Sequence, residues 1–137
     1  MKKKFEKIIV NALRNKKLKL TKQRVSLVTN IFKLGDRHIT AESLHKEMFD
    51  LGIKLSLATV YNTLHDLTKV GMLRKVSVNS SQKYYDTNVV PHHHFYDKEN
   101  NLLTDIPIDQ INITAIPTPP KSKKISKVEV IISLENK

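Results

Sequence analysis

The chain has only three glycines, and each one stops an amphipathic run. The first run opens on Thr21, carries Val25, Val28, Ile31 and Phe32 at helical spacing, and ends at Gly35. The second opens on Thr40, has Glu42 in its first turn and Leu44, Met48 and Leu51 as its stripe, and ends at Gly52. The third opens on Ser56, carries Leu57, Val60, Leu64 and Leu67, and ends at Gly71. A hydroxyl at the start accepts from an otherwise unpaired backbone N–H, and a glycine at the end takes the left-handed conformation that closes the last turn. Three short helices in about fifty residues follow from this punctuation alone. A fourth, basic helix fits residues 3–15, with Phe5, Ile8, Ile9 and Ala12 on one side.

After Gly71 the period changes from helical to alternating. Met72 to Val78 and Gln82 to Tyr85 read as two strands about a turn at Asn79-Ser80-Ser81. Helices followed by a hairpin make a winged helix-turn-helix order. Residues 86–91 are turn-prone and read as a hinge. Beyond them His92 to Tyr96 and Leu102 to Ile106 are strands about a polar turn, and Pro107, Pro117, Pro119 and Pro120 exclude a long helix over 107–124. Lys127 to Leu134 alternates, with Val128, Val130, Ile132 and Leu134 on one face. The fold class expected is α+β: an N-terminal winged-helix DNA-binding domain (1–85), a hinge (86–91), and a small β-rich dimerisation and metal-binding domain (92–137).

Charge narrows the partner. The formal net charge is +11, and residues 1–24 carry ten Lys/Arg against Glu6 alone, so +9 of it lies there. Such a patch suits a phosphate backbone. No apolar run is long enough for a membrane span or a signal peptide, so the expectation is a cytoplasmic protein with no membrane partner. The chain has no cysteine, which excludes disulfides and thiolate-bound structural zinc. Any metal must be held by nitrogen and oxygen.

The third capped run is the candidate reading helix. Its apolar stripe points inward, leaving Thr59, Asn62 and Asp66 opposite, Ala58 beside them and Tyr61 at the edge. Small or polar residues in the first turns let a helix approach base edges in the major groove. Ala58 and Thr59 suit a thymine methyl, Asn62 an adenine edge, and Tyr61 a methyl or a phosphate. Lys16, Lys17, Lys22, Arg24 and the cap Ser56 complete the expected DNA-contacting set.

Ser56-x-Ala58-Thr59-Val60-Tyr61, with the upstream Thr21-x-Gln23-Arg24 and the later His92-His93-His94, resembles the ferric uptake regulator superfamily over about residues 15–134. The cysteine-free second half, with Pro91-His92-His93-His94-Phe95, is most similar to the iron response regulators, and next to the peroxide-sensing regulators. The resemblance implies a homodimer that binds an AT-rich inverted repeat in double-stranded DNA, one reading helix per half-site. It implies a transcriptional repressor with no small-molecule substrate.

Spacing separately points to a metal. His92 and His94 share a strand face, and a tight turn about Glu99-Asn100 sets Asp105 opposite His94. The resemblance adds His38, from the loop after the second helix, and Asp86, near the hinge. Three imidazoles and two carboxylates suit Fe(II) or Mn(II) and accept Zn(II). The resemblance also shows departures. The family's first Cys-x-x-Cys pair aligns with Asp97 and Asn100, its long dimer-domain helix with the Pro-rich stretch, and the C-terminal histidine of a second metal site is missing. Dimerisation is then expected through Lys127–Leu134. His93 is a candidate haem ligand, by analogy with the iron response branch. Four alternatives stand beside metal sensing: peroxide sensing by metal-catalysed oxidation of His38 or His92, a winged helix that binds a protein or RNA, nonspecific DNA packing, and metallohydrolysis. For the last, no general base is evident beside the cluster.

Overall fold

The computed structural model describes residues 2–79 and 81–137. The chain divides between Val89 and Val90 into two compact units, inside the stretch read as a hinge. The first unit holds α1 (Lys2–Asn15), α2 (Lys22–Phe32), β1 (His38–Ile39), α3 (Ala41–Asp50), α4 (Leu57–Lys69), β2 (Arg74–Ser77) and β3 (Lys83–Asp86). The three hydroxyl caps are in place. Thr21 accepts from the Arg24 amide, Thr40 closes a capping box with Ser43, and Ser56 accepts from the Thr59 amide.

The core of this unit is Leu13, Leu27, Val28, Ile31, Leu44, Met48, Val60, Leu64 and Leu67, all fully buried. Four expected inward residues depart from that pattern. Ile8 is 55% exposed, Leu51 54% and Leu57 37%, and Ala12 is only half-buried. In α1 the buried line runs through Phe5, Ile9 and Leu13 at i, i+4, i+8, one residue round from the expected stripe. In α4 Thr63 fills the inward place and bonds its hydroxyl to the Thr59 carbonyl at 2.8 Å.

The wing is a three-stranded antiparallel sheet in the order β1-β3-β2, not a two-stranded hairpin. Two residues, His38 and Ile39, were too few to register as a strand in the sequence. They pair with Asp86 and Tyr85. Asp86, expected in the hinge, is the last residue of β3 and is 1% exposed. The turn expected at Asn79–Ser81 includes Ser80, which lies outside the described residues. Around it, Asn79 Oδ1 accepts from the Ser81 and Gln82 amides.

The second unit is a three-stranded sheet in the order β5-β4-β6, with β4 (His92–Asp97), β5 (Leu102–Pro107) and β6 (Ile131–Leu134). β5 is antiparallel to β4 and β6 parallel to it. His94 pairs with Asp105, the register that the tight turn required. A single 3₁₀ turn, Ile108–Gln110, precedes an irregular Pro-rich stretch. Only the end of Lys127–Leu134 is strand, and Val128, Ile132 and Leu134 of its alternating face are exposed.

Two helix ends test the left-handed cap. After α4, Met72 N–H bonds to the Leu67 carbonyl across Gly71, whose φ is +82°. After α1, Leu18 N–H bonds to the Leu13 carbonyl across Lys17, with φ +58°. The two motifs are alike, but lysine carries a Cβ into a region that costs an L-residue about 1–2 kcal/mol. Lys17→Gly should therefore raise stability in urea denaturation by about 1 kcal/mol, and Gly71→Ala should lower it by about the same or more.

Candidate metal centre and DNA-facing surface

In the second unit the strand register brings two imidazoles to one carboxylate. His92 Nε2 lies 3.1 Å and His94 Nε2 3.4 Å from Asp105 Oδ1. The His92 and His94 rings meet edge to face with centroids 4.5 Å apart. Both histidines are buried, whereas the Asp105 side chain is 35% exposed. Their other ring nitrogens are also committed. His92 Nδ1 faces the Val90 carbonyl at 2.5 Å, and His94 Nδ1 faces Glu129 Oε1 at 3.1 Å. A carbonyl or carboxylate oxygen only accepts, so each Nδ1 carries the proton and donates. A neutral ring then turns an Nε2 lone pair toward the Asp105 oxygen, acceptor against acceptor. A second proton on each ring, or a cation between the nitrogens and the carboxylate, satisfies the arrangement. The donor set therefore fits a divalent metal ion, with ligand atoms within 4.8 Å of one another.

Glu129 was not singled out in the sequence. It lies 35 residues from His94, and nothing in the sequence sets the parallel strand that delivers it. Burial pushes its carboxyl up, but hydrogen bonds from His94 and Lys127 outweigh this and hold it below the ordinary range.

His93 takes the opposite tautomer. Its Nδ1 accepts the Val130 amide at 2.9 Å, which places the ring proton on Nε2 and leaves no lone pair for iron. The ring is 2% exposed and serves the junction with β6. This arrangement gives haem no ligand at His93.

In the first unit the wing joins the other two candidate ligands. β1 and β3 pair His38 with Asp86, and His38 Nε2 lies 3.1 Å from Asp86 Oδ2. The other oxygen, Asp86 Oδ1, accepts the Asn88 amide at 2.9 Å. Arg37 and Thr87, one residue outward on each strand, exchange hydrogen bonds that fix the pair. Arg37 is in turn held by a two-pronged contact with Glu47 at 2.7 and 3.1 Å, and Glu47 also accepts from Asn30. The Arg37 hydrogen bond, and then that of Asn30, hold the Glu47 carboxyl below its ordinary value against the opposing effect of burial. A depressed carboxyl contributes stability above its unfolded pKa and loses it as pH falls through the folded value. Glu47→Gln should thus flatten the fall in melting temperature between about pH 5 and pH 3 relative to the parent.

The expected DNA-contacting residues separate into two groups. Lys16, Lys17, Lys22, Ser56, Ala58 and Asn62 are exposed, and Thr59 is half-exposed. Arg24 is committed elsewhere. Its guanidinium bonds Asp66 of α4 at 2.8 Å, with the arginine side chain only 16% exposed. It fastens α2 to α4. The Tyr61 hydroxyl donates to Glu42 of α3, so the ring edge, rather than the hydroxyl, is what α4 presents. A shallow cleft of about 460 Å³ opens here, lined by Tyr61, Glu42, Gln82 and Lys83 among others. Lys75 and Lys83 of the wing, not singled out in the sequence, lie beside each other. Partial desolvation, then the neighbouring Lys83 ammonium, hold Lys75 below the ordinary lysine range. Lys16→Ala should reduce the slope of log affinity against log salt by roughly 0.9, whereas Arg24→Ala should lower stability by about 0.5–1 kcal/mol.

Residues 15–132 match the model of the Ferric uptake regulator family. The chain belongs to that family. Its members are transcription regulators and not enzymes, which removes the metallohydrolase alternative. The ferric uptake regulation protein of Campylobacter upsaliensis is 38% identical over 92 residues, covering 66% of this chain and 56% of the relative. That of Escherichia coli K12 is 27% identical over 82 residues, covering 60% and 55%. The chain thus spans just over half the length of the curated relatives it matches. Among solved structures, the ferric uptake regulator of Pseudomonas aeruginosa with manganese superposes with a TM-score of 0.70 at 18% identity, over 93% of this chain and 96% of that one. The Vibrio cholerae regulator gives 0.68 at 18%, over 92% and 98%. At such identity these two establish the fold alone, the family's α+β fold with a helical, winged N-terminal part and a β-rich C-terminal part.

Proposed function

We propose that this protein is a metal-responsive transcriptional repressor that binds an AT-rich inverted repeat in cytoplasmic DNA as a homodimer. One observation carries the metal reading: the Nε2 lone pairs of His92 and His94 turned onto one Asp105 oxygen, an arrangement that a cation completes. His38 and Asp86 supply the remaining ligands in this reading. Related regulators solved with manganese, iron and zinc support Mn(II), Fe(II) or Zn(II) as the ion. A metal that prefers the DNA-competent arrangement shifts the equilibrium by its differential affinity for it.

The reading helix is α4, entering the groove through Ala58, Thr59, Tyr61 and Asn62. Lys16, Lys17 and Lys22 meet phosphates, and Lys75 and Lys83 do so from the wing. The crowding of those two ammoniums favours an anion beside them. The dimer reading rests on β6, an edge strand that shows Ile132 and Leu134 to solvent, with the exposed Val128 just before it. Within the family, the lack of cysteine and the Pro91–Phe95 run support the iron response branch.

With an operator selected from random duplexes, His92→Ala and Asp105→Ala should abolish metal-dependent binding and leave the circular dichroism of the fold intact. Parent protein that binds its operator equally with and without metal would refute the reading. One added oxygen on His38 or His92, after peroxide treatment of the Fe(II) form, would move the signal from metal supply to peroxide.

A further inference from the structure

The ligand reading uses His92, His94 and Asp105 but leaves Glu129 and the C-terminal strand without a role. Three contacts join Glu129 and Val130, just before that strand, to the histidines of β4. Glu129 Oε1 takes the His94 Nδ1 proton at 3.1 Å. His94 N–H bonds to the Val130 carbonyl at 3.1 Å. Val130 N–H bonds to His93 Nδ1 at 2.9 Å. The second Glu129 oxygen is held by Lys127 Nζ at 3.2 Å, and the glutamate side chain is only 10% exposed. His94 is 0% exposed, so bulk solvent does not orient its ring. The segment before β6 does that instead.

We propose that Glu129 is the positioning residue for His94 and that, through it, metal loading and the docking of β6 on β4 stabilise each other. The inference rests on His94 being a metal ligand. A carboxylate behind the distal ring nitrogen fixes the tautomer and makes the ligating nitrogen more basic, and losing such a partner costs about 10–100-fold in metal affinity. The coupling is reciprocal. A metal that draws on the Nε2 lone pair strengthens the Nδ1–H donation to Glu129, and so tightens the strand that carries it. β6 is also the exposed edge of the sheet, so metal supply would regulate the order of that edge as well as the ligand shell.

The test uses the full chain with Mn(II) as the binding probe, Co(II) as the spectroscopic probe, and Glu129→Ala and Glu129→Gln as variants. Mn(II) dissociation constants should rise 10–100-fold in Glu129→Ala and less in Glu129→Gln, which keeps an acceptor for Nδ1–H. Co(II) absorption bands should keep their positions in both, because Glu129 is not a ligand. Amide exchange at Ile131–Leu134 should slow on Mn(II) addition in the parent and lose that slowing in Glu129→Ala. If Glu129→Ala does not fold, the Gln variant and the parent's exchange decide the matter. Parent-like Mn(II) affinity in the variants, altered Co(II) bands, or β6 exchange indifferent to metal in the parent would each overturn the proposal. A parent that binds no metal would overturn the ligand reading along with it, whereas a metal-binding parent with unaffected variants overturns this inference alone.

Discussion

His94 has no exposure, and carboxylates face both of its ring nitrogens, Asp105 from β5 and Glu129 from the segment before β6. That single constraint organises the second unit. The β4–β5 register delivers Asp105 to one side of the ring, and the parallel pairing of β6 with β4 brings the preceding Glu129 to the other. Burying polar groups is costly unless they are paired. With few buried apolar residues in this unit (Tyr96, Leu103 and Ile106), the histidine network is a large part of what specifies its structure.

The first unit solves a related problem with a different device. Asp86 is buried and held by His38 and the Asn88 amide, and the wing strands carrying the pair are pinned by Arg37, Glu47 and Asn30 from α2 and α3. The same helices reach the reading helix through Arg24 and Asp66. The Tyr61–Glu42 bond likewise ties the exposed edge of α4 to α3.

The helices were legible because capping chemistry is local. Thr21, Thr40 and Ser56 act on amides two or three residues away, and each left-handed glycine acts on its own helix end. The His94–Asp105 register was legible because a tight turn converts spacing into pairing. What the sequence hid was long-range. β1 is two residues long, Glu129 meets His94 across 35 residues, and Arg24 is a salt-bridge partner only once α2 and α4 pack. The edge of an amphipathic stripe was also hard to place, since a shift of one residue on α1 exchanges Ile8 for Leu13. One loss in the family pattern found a local replacement. Where the resemblance places the first Cys-x-x-Cys pair, Asn100 closes the turn with two hydrogen bonds to Asp97, at 3.2 and 2.8 Å.

Metal gating of DNA binding is most directly tested as a linkage. Operator affinity is measured with and without saturating Mn(II), and Mn(II) affinity with and without saturating operator. If one ion sets the DNA-competent arrangement, both affinities change by the same factor, on the order of 5–150-fold. An operator affinity that Mn(II) leaves unchanged, while Mn(II) binds at the histidines, would contradict it.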